Sequence, residues 1–152
     1  MMGQLLEKHR TQIAPEIVDN VERGFLVTPK LIFDAERTRW RLFHSMMDFF
    51  ETHDYLICPA ASIPPFPVEQ RYVTEIEGFP CESYIDWFSI TFAVTMTSCP
   101  VISLPCGFTE NDLPVGLQVV GRPRSEGLLL RDSTRLQEIF GLKDRLPIVP
   151  VG

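Results

Sequence analysis

Positive charge is scarce in this chain: of 152 residues, 14 are Lys or Arg against 20 Asp or Glu, for a formal net charge of −6. Binding a phosphate backbone without sequence preference rests on clustered Lys and Arg, so nucleic acid is excluded as an expected partner. Arg37, Arg39 and Arg41 alternate with other residues inside a helical pattern and read as a solvated face. Long apolar runs are absent as well. None approaches the roughly 18 residues that a bilayer-spanning helix needs, which argues against a membrane. The opening "MMGQLLEKHRTQIAPE" turns charged within seven residues and lacks the apolar stretch of a secretory leader, so the expected location is the cytoplasm.

Cysteine is also sparse. Cys58, Cys81, Cys99 and Cys106 form no C-x-x-C pair, and His9, His44 and His53 all lie upstream of them at spacings foreign to zinc sites. No structural metal is expected, and the thiols read as small buried apolar groups. Repeats and low-complexity tracts are missing too. What remains is ordinary globular material, 45% hydrophobic and 22% charged, with a high count of 13 prolines. A domain of this length could bury roughly 70% of the surface its unfolded chain exposes.

Helix signals come first along the chain. Met2 to Ile13 is weakly amphipathic and ends before Pro15, which suits the first turn of a second helix closed by Gly24. The third is the clearest. Thr28 caps it and Pro29 begins it, after which Leu31, Ala35, Leu42, Met46 and Phe49 share one stripe that Trp40, Phe43, Met47 and Phe50 widen. A face that wide calls for a partner larger than one helix. "YLICPA", Tyr55 to Ala60, reads as a buried strand stopped by proline.

Ser62 to Pro80 is rich in proline and charge and reads as a long irregular loop, of a length usually tied to function. Glu82 to Met96 mixes aromatic, β-branched and small residues, and is assigned as a buried helix. Val101 to Gly107 and Val115 to Gly121 are near-continuous apolar runs, the mark of strands covered on both faces. The turn "FTENDLP" suits an antiparallel connection between them. Ser125 caps a last helix, Glu126 to Phe140, with Leu128, Leu129, Asp132, Leu136 and Ile139 on one face and Gly141 closing it. The tail "KDRLPIVPVG" reads as extended.

The block "CPVISLPCGFT", an acidic turn, "LPVGLQVVGRP" and then "EGLLLRDSTRLQEIFG" resembles the C-terminal part of the amidase signature family. "HDYLICPAASIPPFPV" is similar to that family's Asp-x-Leu-x-x-Pro strand and loop. The resemblance covers nearly all of the chain and is most specific from Cys99 to Arg122. It implies an α/β fold in which mixed β-sheet strands are flanked by helices. The chain then reads as one partial domain, helical over 1–54 and carrying sheet strands, loop and terminal helix over 55–152. On that resemblance, Gly107, Gly116 and Gly121 mark places where a side chain has no room or the chain needs unusual dihedrals. Four positions depart from the family pattern: Ser98 and Asp112 stand where glycine is usual, Thr95 where asparagine is, and Ser133 where alanine is.

The reaction implied by the resemblance is hydrolysis of a carbon–nitrogen amide bond by a Ser, a second Ser and a Lys, without metal or organic cofactor. This sequence holds no Gly-Gly-Ser-Ser-Gly-like run, and its lysines, Lys8, Lys30 and Lys143, match no catalytic context. No catalytic residue is therefore assigned here. Ser98 and Ser103, a thiol of Cys99 or Cys106 beside a histidine, and the Glu82 and Asp86 carboxylates at helical spacing are the groups available, each with a plainer structural reading. Since the resemblance places the segment ahead of Cys99 beside the acyl pocket, Trp87 and Phe88 are candidates for pocket lining, with core packing as the alternative. The expected partners are an amide substrate and either the missing N-terminal amidase segment or a second copy of the chain. Three readings stay open: part of an amidase that is inactive alone, a partner polypeptide completing a site in trans, and a non-catalytic binding or structural domain.

Overall fold

The computed structural model describes residues 2–142, so the extended tail expected over 143–152 lies outside the described residues. Among the described residues, five α-helices and five strands follow one another as α1 (Met2–His9), α2 (Pro15–Phe25), α3 (Pro29–Phe49), β1 (Leu56–Pro59), β2 (Glu75–Ile76), β3 (Phe79–Pro80), α4 (Ser89–Thr95), β4 (Val101–Phe108), β5 (Pro114–Val120) and α5 (Glu126–Phe140). Short 3₁₀ turns, Arg10–Gln12 and Asp86–Phe88, precede α2 and α4.

The caps follow local chemistry with two exceptions. Thr28 Oγ1 accepts from the Leu31 amide at 3.3 Å, and Pro29 sits at the first turn, as such residues favour. Gly141 closes α5 in the left-handed region at φ 64°. Gly24, by contrast, lies inside α2, which runs on to Phe25. Ser125 precedes α5, yet its hydroxyl donates to the Arg122 carbonyl at 2.6 Å rather than capping the helix.

β1, β5 and β4 form an antiparallel sheet in that order, Leu56 pairing with Val120 and Val120 with Val101. A bulge between Pro105 and Gly107 shifts the register near the β4–β5 turn. Helix α5 covers one face through Leu129, which packs with Leu104 and Val119. The other face is covered by the C-terminal end of α3 and by α4, where Phe50, Val94, Cys99 and Val120 cluster. Fully burying an aliphatic side chain of this kind stabilises by about 1.5–3 kcal/mol, and Val119 and Val120 are 1% and 0% exposed. The expectation of strands covered on both faces therefore holds at β5. Along β4 it does not, since Val101, Ser103 and Pro105 are exposed.

Three further expectations need correction. The 62–80 loop contains a small hairpin, β2 with β3, turned by Glu77 and Gly78 at φ 50° and 81°, a pair of positive values that matches the twist of adjacent strands. The helix assigned to Glu82–Met96 exists only from Ser89 to Thr95, following the 3₁₀ turn. On α5 the buried line is Leu129 and Ser133, with Leu136 half-buried, while Leu128 and Ile139 face solvent. Of the three glycines expected at close approaches, Gly116 lies where a Cβ would stand 3.2 Å from the Leu104 carbonyl, and Gly121 where it would stand 2.9 Å from Ser125 Oγ. At Gly107 the nearest atom would be an ordinary contact at 3.8 Å.

Candidate functional site

Strand β1 ends at Pro59, and the chain beyond it stays attached to β5 for one more bond, Ala60 N donating to Gly116 O at 3.0 Å. Proline then forbids further ladder pairing at Pro64 and Pro65, and the backbone swings away from the sheet. The buried Gln118 side chain fixes the corner from below. Its Nε2 donates to the carbonyls of Pro59 at 3.1 Å and Ile90 at 3.4 Å, joining β5, β1 and α4. Thr91 Oγ1 adds a bond to the Ala60 carbonyl at 3.3 Å.

The 3₁₀ turn Asp86–Phe88 leads directly into α4. The Asp86 carboxylate accepts from both the hydroxyl and the amide of Ser83 at 2.8 Å, bonds that hold its carboxyl below the usual range. Trp87 then reaches across to Phe66, the two rings meeting edge to face at 5.5 Å. Between them and the sheet corner opens a groove of about 540 Å³, floored by Pro59, Ala60 and Gly116 and walled by Ile63, Phe66 and Trp87. Among the described residues that line it, the only side-chain hydroxyl is Ser62, and there is no charged side chain. The groove can exclude water from an apolar group; its lining pairs no nucleophile with a base.

Phe88 lies on a second, smaller hollow of about 240 Å³, beside Tyr72, Tyr84 and Ile17, which Trp87 also borders. The ion pair of Arg71 with Glu16 at 2.8 Å spans the rim of this hollow and ties α2 to the loop. Trp87 therefore separates two cavities, and Phe88 contributes to one of them. Both rings are half-buried and stack edge to face at 5.3 Å.

The remaining nucleophile candidates are dispersed. Ser98 and Ser103 are exposed. Cys99 is buried with Sγ on the Thr97 carbonyl at 3.8 Å, and Cys106 Sγ lies 3.6 Å from the Val115 carbonyl. Cys58, Cys81 and Cys106 are only half-buried, so the expectation of buried thiols holds for Cys99 alone. His44 packs against Trp40, and His53 stacks on Phe49. Glu82 precedes the 3₁₀ turn that holds Asp86, so the two acids do not share a helix. Among the described residues no cluster of three or more His, Cys, Asp or Glu is placed to hold a metal ion.

Sequence reasoning missed two arrangements. One is the Gln118 brace, a buried polar residue inside an apolar strand, whose burial signals a satisfied network. The other joins Tyr55, just ahead of β1, to α5. Tyr55 OH donates to Asp132 Oδ2 at 2.7 Å, and Arg131 Nε donates to Oδ1 at 2.8 Å. The Arg131 and Tyr55 bonds hold the Asp132 carboxyl far below its ordinary range, while the bond to Asp132 raises the Tyr55 phenol. An aspartate flanked by Arg131 and Arg135 was the available signal.

Comparison with known proteins matches this architecture. An acylamidase of Rhodococcus erythropolis is 26% identical over 142 residues, covering 93% of this chain and 30% of that protein. A glutamyl-tRNA(Gln) amidotransferase component from Alkaliphilus metalliredigens is 32% identical over 99 residues, covering 64% of this chain and 19% of that protein. A crystal structure of an amidase superposes with a TM-score of 0.73 at 25% identity, covering 95% of this chain and 32% of that one. The chain thus spans less than a third of the relatives it matches. The family model described as Amidase covers residues 12–130, well over half of the sequence, and with the shared sheet and helix arrangement it establishes that this chain belongs to the Amidase family.

Proposed function

We propose that this chain forms part of an enzyme that hydrolyses carbon–nitrogen amide bonds, supplying sheet strands and one wall of the substrate groove while the Ser, Ser and Lys that perform the chemistry come from polypeptide outside these 152 residues. The observation that carries this reading is the groove at the β1 exit. It is shaped and apolar, with Trp87 and Phe66 as its wall, and its lining offers only the Ser62 hydroxyl, with no base among the residues around it. Acyl transfer needs an activated nucleophile, a base within hydrogen-bond reach and donors for the developing oxyanion. The groove is suited instead to positioning a substrate for groups delivered from outside.

In this reading Trp87 orients the apolar part of the amide, and the Gln118 and Thr91 bonds hold α4 and the 3₁₀ turn so that Trp87 keeps its place. The partner is the remaining amidase segment. The test is an assay of the purified chain with a simple neutral amide, run beside Ser62→Ala and Ser103→Ala variants. The expected outcome is no turnover above the uncatalysed rate. Turnover that disappears in either variant would overturn the proposal, because the nucleophile would then reside in this chain.

A further inference from the structure

The relatives named above act on different molecules by their names, one on acyl amides and one as part of a tRNA-linked glutamyl amidotransferase. The groove chemistry separates these possibilities. Its lining has few hydrogen-bond donors, the side-chain ones being the Ser62 hydroxyl and the Trp87 indole N–H. Pro59, Pro64, Pro65 and Pro114 have no amide hydrogen to offer, and the Ala60 amide is already given to the Gly116 carbonyl at 3.0 Å. The carbonyls of Pro59 and Ala60 are engaged as well, by Gln118 and Thr91. A carboxylate or a primary amide buried here would lose its water with little to replace it, which is costly for any polar group and most costly for a charged one.

Aromatic surface, in contrast, is well provided. The Trp87 and Phe66 rings both line the groove and stand at 88° to each other. An incoming ring can then sit offset or edge-on, the arrangements aromatic pairs prefer. The opening of about 540 Å³ is within the range of small-molecule pockets.

We infer that the groove beside Trp87 is a subsite for an uncharged aryl group, and that it discriminates against polar, glutamine-like substrates. This deepens the proposed function, on which the assignment of the groove to a substrate rests. Binding, however, needs no turnover and is tested separately from it.

Saturation-transfer NMR on the full chain, with acetanilide as the neutral aryl amide and L-glutamine as the polar one, reads the subsite directly and tolerates self-association of the protein. Transfer is expected to the acetanilide ring protons and not to glutamine. In Ile63→Asp, checked for intact secondary structure by circular dichroism, a charge on the half-buried wall is expected to reduce that transfer by about tenfold. Trp87→Ala is expected to reduce it as well, whereas Trp40→Phe on α3, outside the groove, leaves it unchanged. Equal or stronger transfer to glutamine overturns the inference. So does acetanilide transfer that persists in Ile63→Asp and Trp87→Ala, since contact is then elsewhere on the surface. If acetanilide binds as expected but the chain alone also hydrolyses it, the subsite stands and the reading of a chain without its own nucleophile falls.

Discussion

Ser98 and Asp112 both hold the backbone at φ 58°, and these are two of the positions where the amidase signature pattern carries glycine. A side chain in that left-handed region crowds its own carbonyl, at about 1–2 kcal/mol for most residues and less for Asp or Asn. Ser98→Gly is therefore expected to raise stability by about 1 kcal/mol, partly offset by the greater freedom of glycine in the unfolded chain. Denaturant titration reads this as a higher midpoint at unchanged slope, and a lower midpoint would show that the serine is itself stabilising. Ser133 departs from the pattern in a different way. It is 2% exposed and its hydroxyl has no hydrogen-bond partner. Removing such a group relieves an unmet desolvation, so Ser133→Ala is expected to stabilise by about 1 kcal/mol in the same titration. A destabilised alanine variant would point to a bond the hydroxyl makes in solution.

Among the elements, α5 is held to the sheet by its Leu129 contacts and to the start of β1 by the Tyr55–Asp132 bond. The folded Asp132 carboxyl binds its proton less readily than the unfolded one, whose ordinary value is about 4. The unfolded chain therefore takes up the proton first as pH falls. The contribution of this link is present above about pH 4 and is lost progressively below it. Thermal unfolding followed from about pH 6 down to about pH 2 is expected to show a decline that is shallower in Asp132→Asn, because the variant has no such carboxyl to protonate. Equal slopes in the two proteins would mean that acid sensitivity arises at other carboxylates. Tyr55→Phe is expected to lower the stability of the starting protein near neutral pH and to leave Asp132→Asn less affected, the two residues sharing one bond.

At the scale of the whole molecule the notable surface is α3. Its C-terminal end packs on the sheet through Met46, Met47 and Phe49, but Leu31, Phe33 and Trp40 are 56%, 66% and 62% exposed. The wide apolar stripe read from the sequence, with Leu31, Trp40 and Leu42 exposed, is thus covered only at one end, Phe33 adds exposed apolar surface outside that stripe, and β1 and β4 are both edges of the described sheet. Contiguous apolar surface and open edges favour association. Sedimentation velocity over a concentration series is expected to show the chain self-associating, and the double change Phe33→Asp with Trp40→Glu is expected to shift it toward monomer. A monomer at every concentration would mean that the stripe is closed in solution by the chain itself. Among the described residues no helix is long and apolar enough to cross a membrane.

Much of this protein is written locally. Thr28 with Pro29 starts α3, Gly141 stops α5, proline ends β1, and the apolar runs on either side of "FTENDLP" pair as the β4–β5 hairpin, because caps, turn residues and β-branched runs act over a few residues of chain. The family, too, was legible from the Cys99 to Arg122 block and its glycines. What only the tertiary structure decided depends on distant residues meeting. Gln118 bonds the carbonyls of Pro59 and Ile90 and so joins β5, β1 and α4, while the 3₁₀ turn ahead of α4 carries Trp87 to the groove and, with Phe88, to the second hollow. Which line of α5 is buried was likewise settled by Leu104 and Val119 lying beneath Leu129. A periodic pattern shows that a helix has an apolar side, but only the neighbouring sheet selects which of its apolar residues leave water.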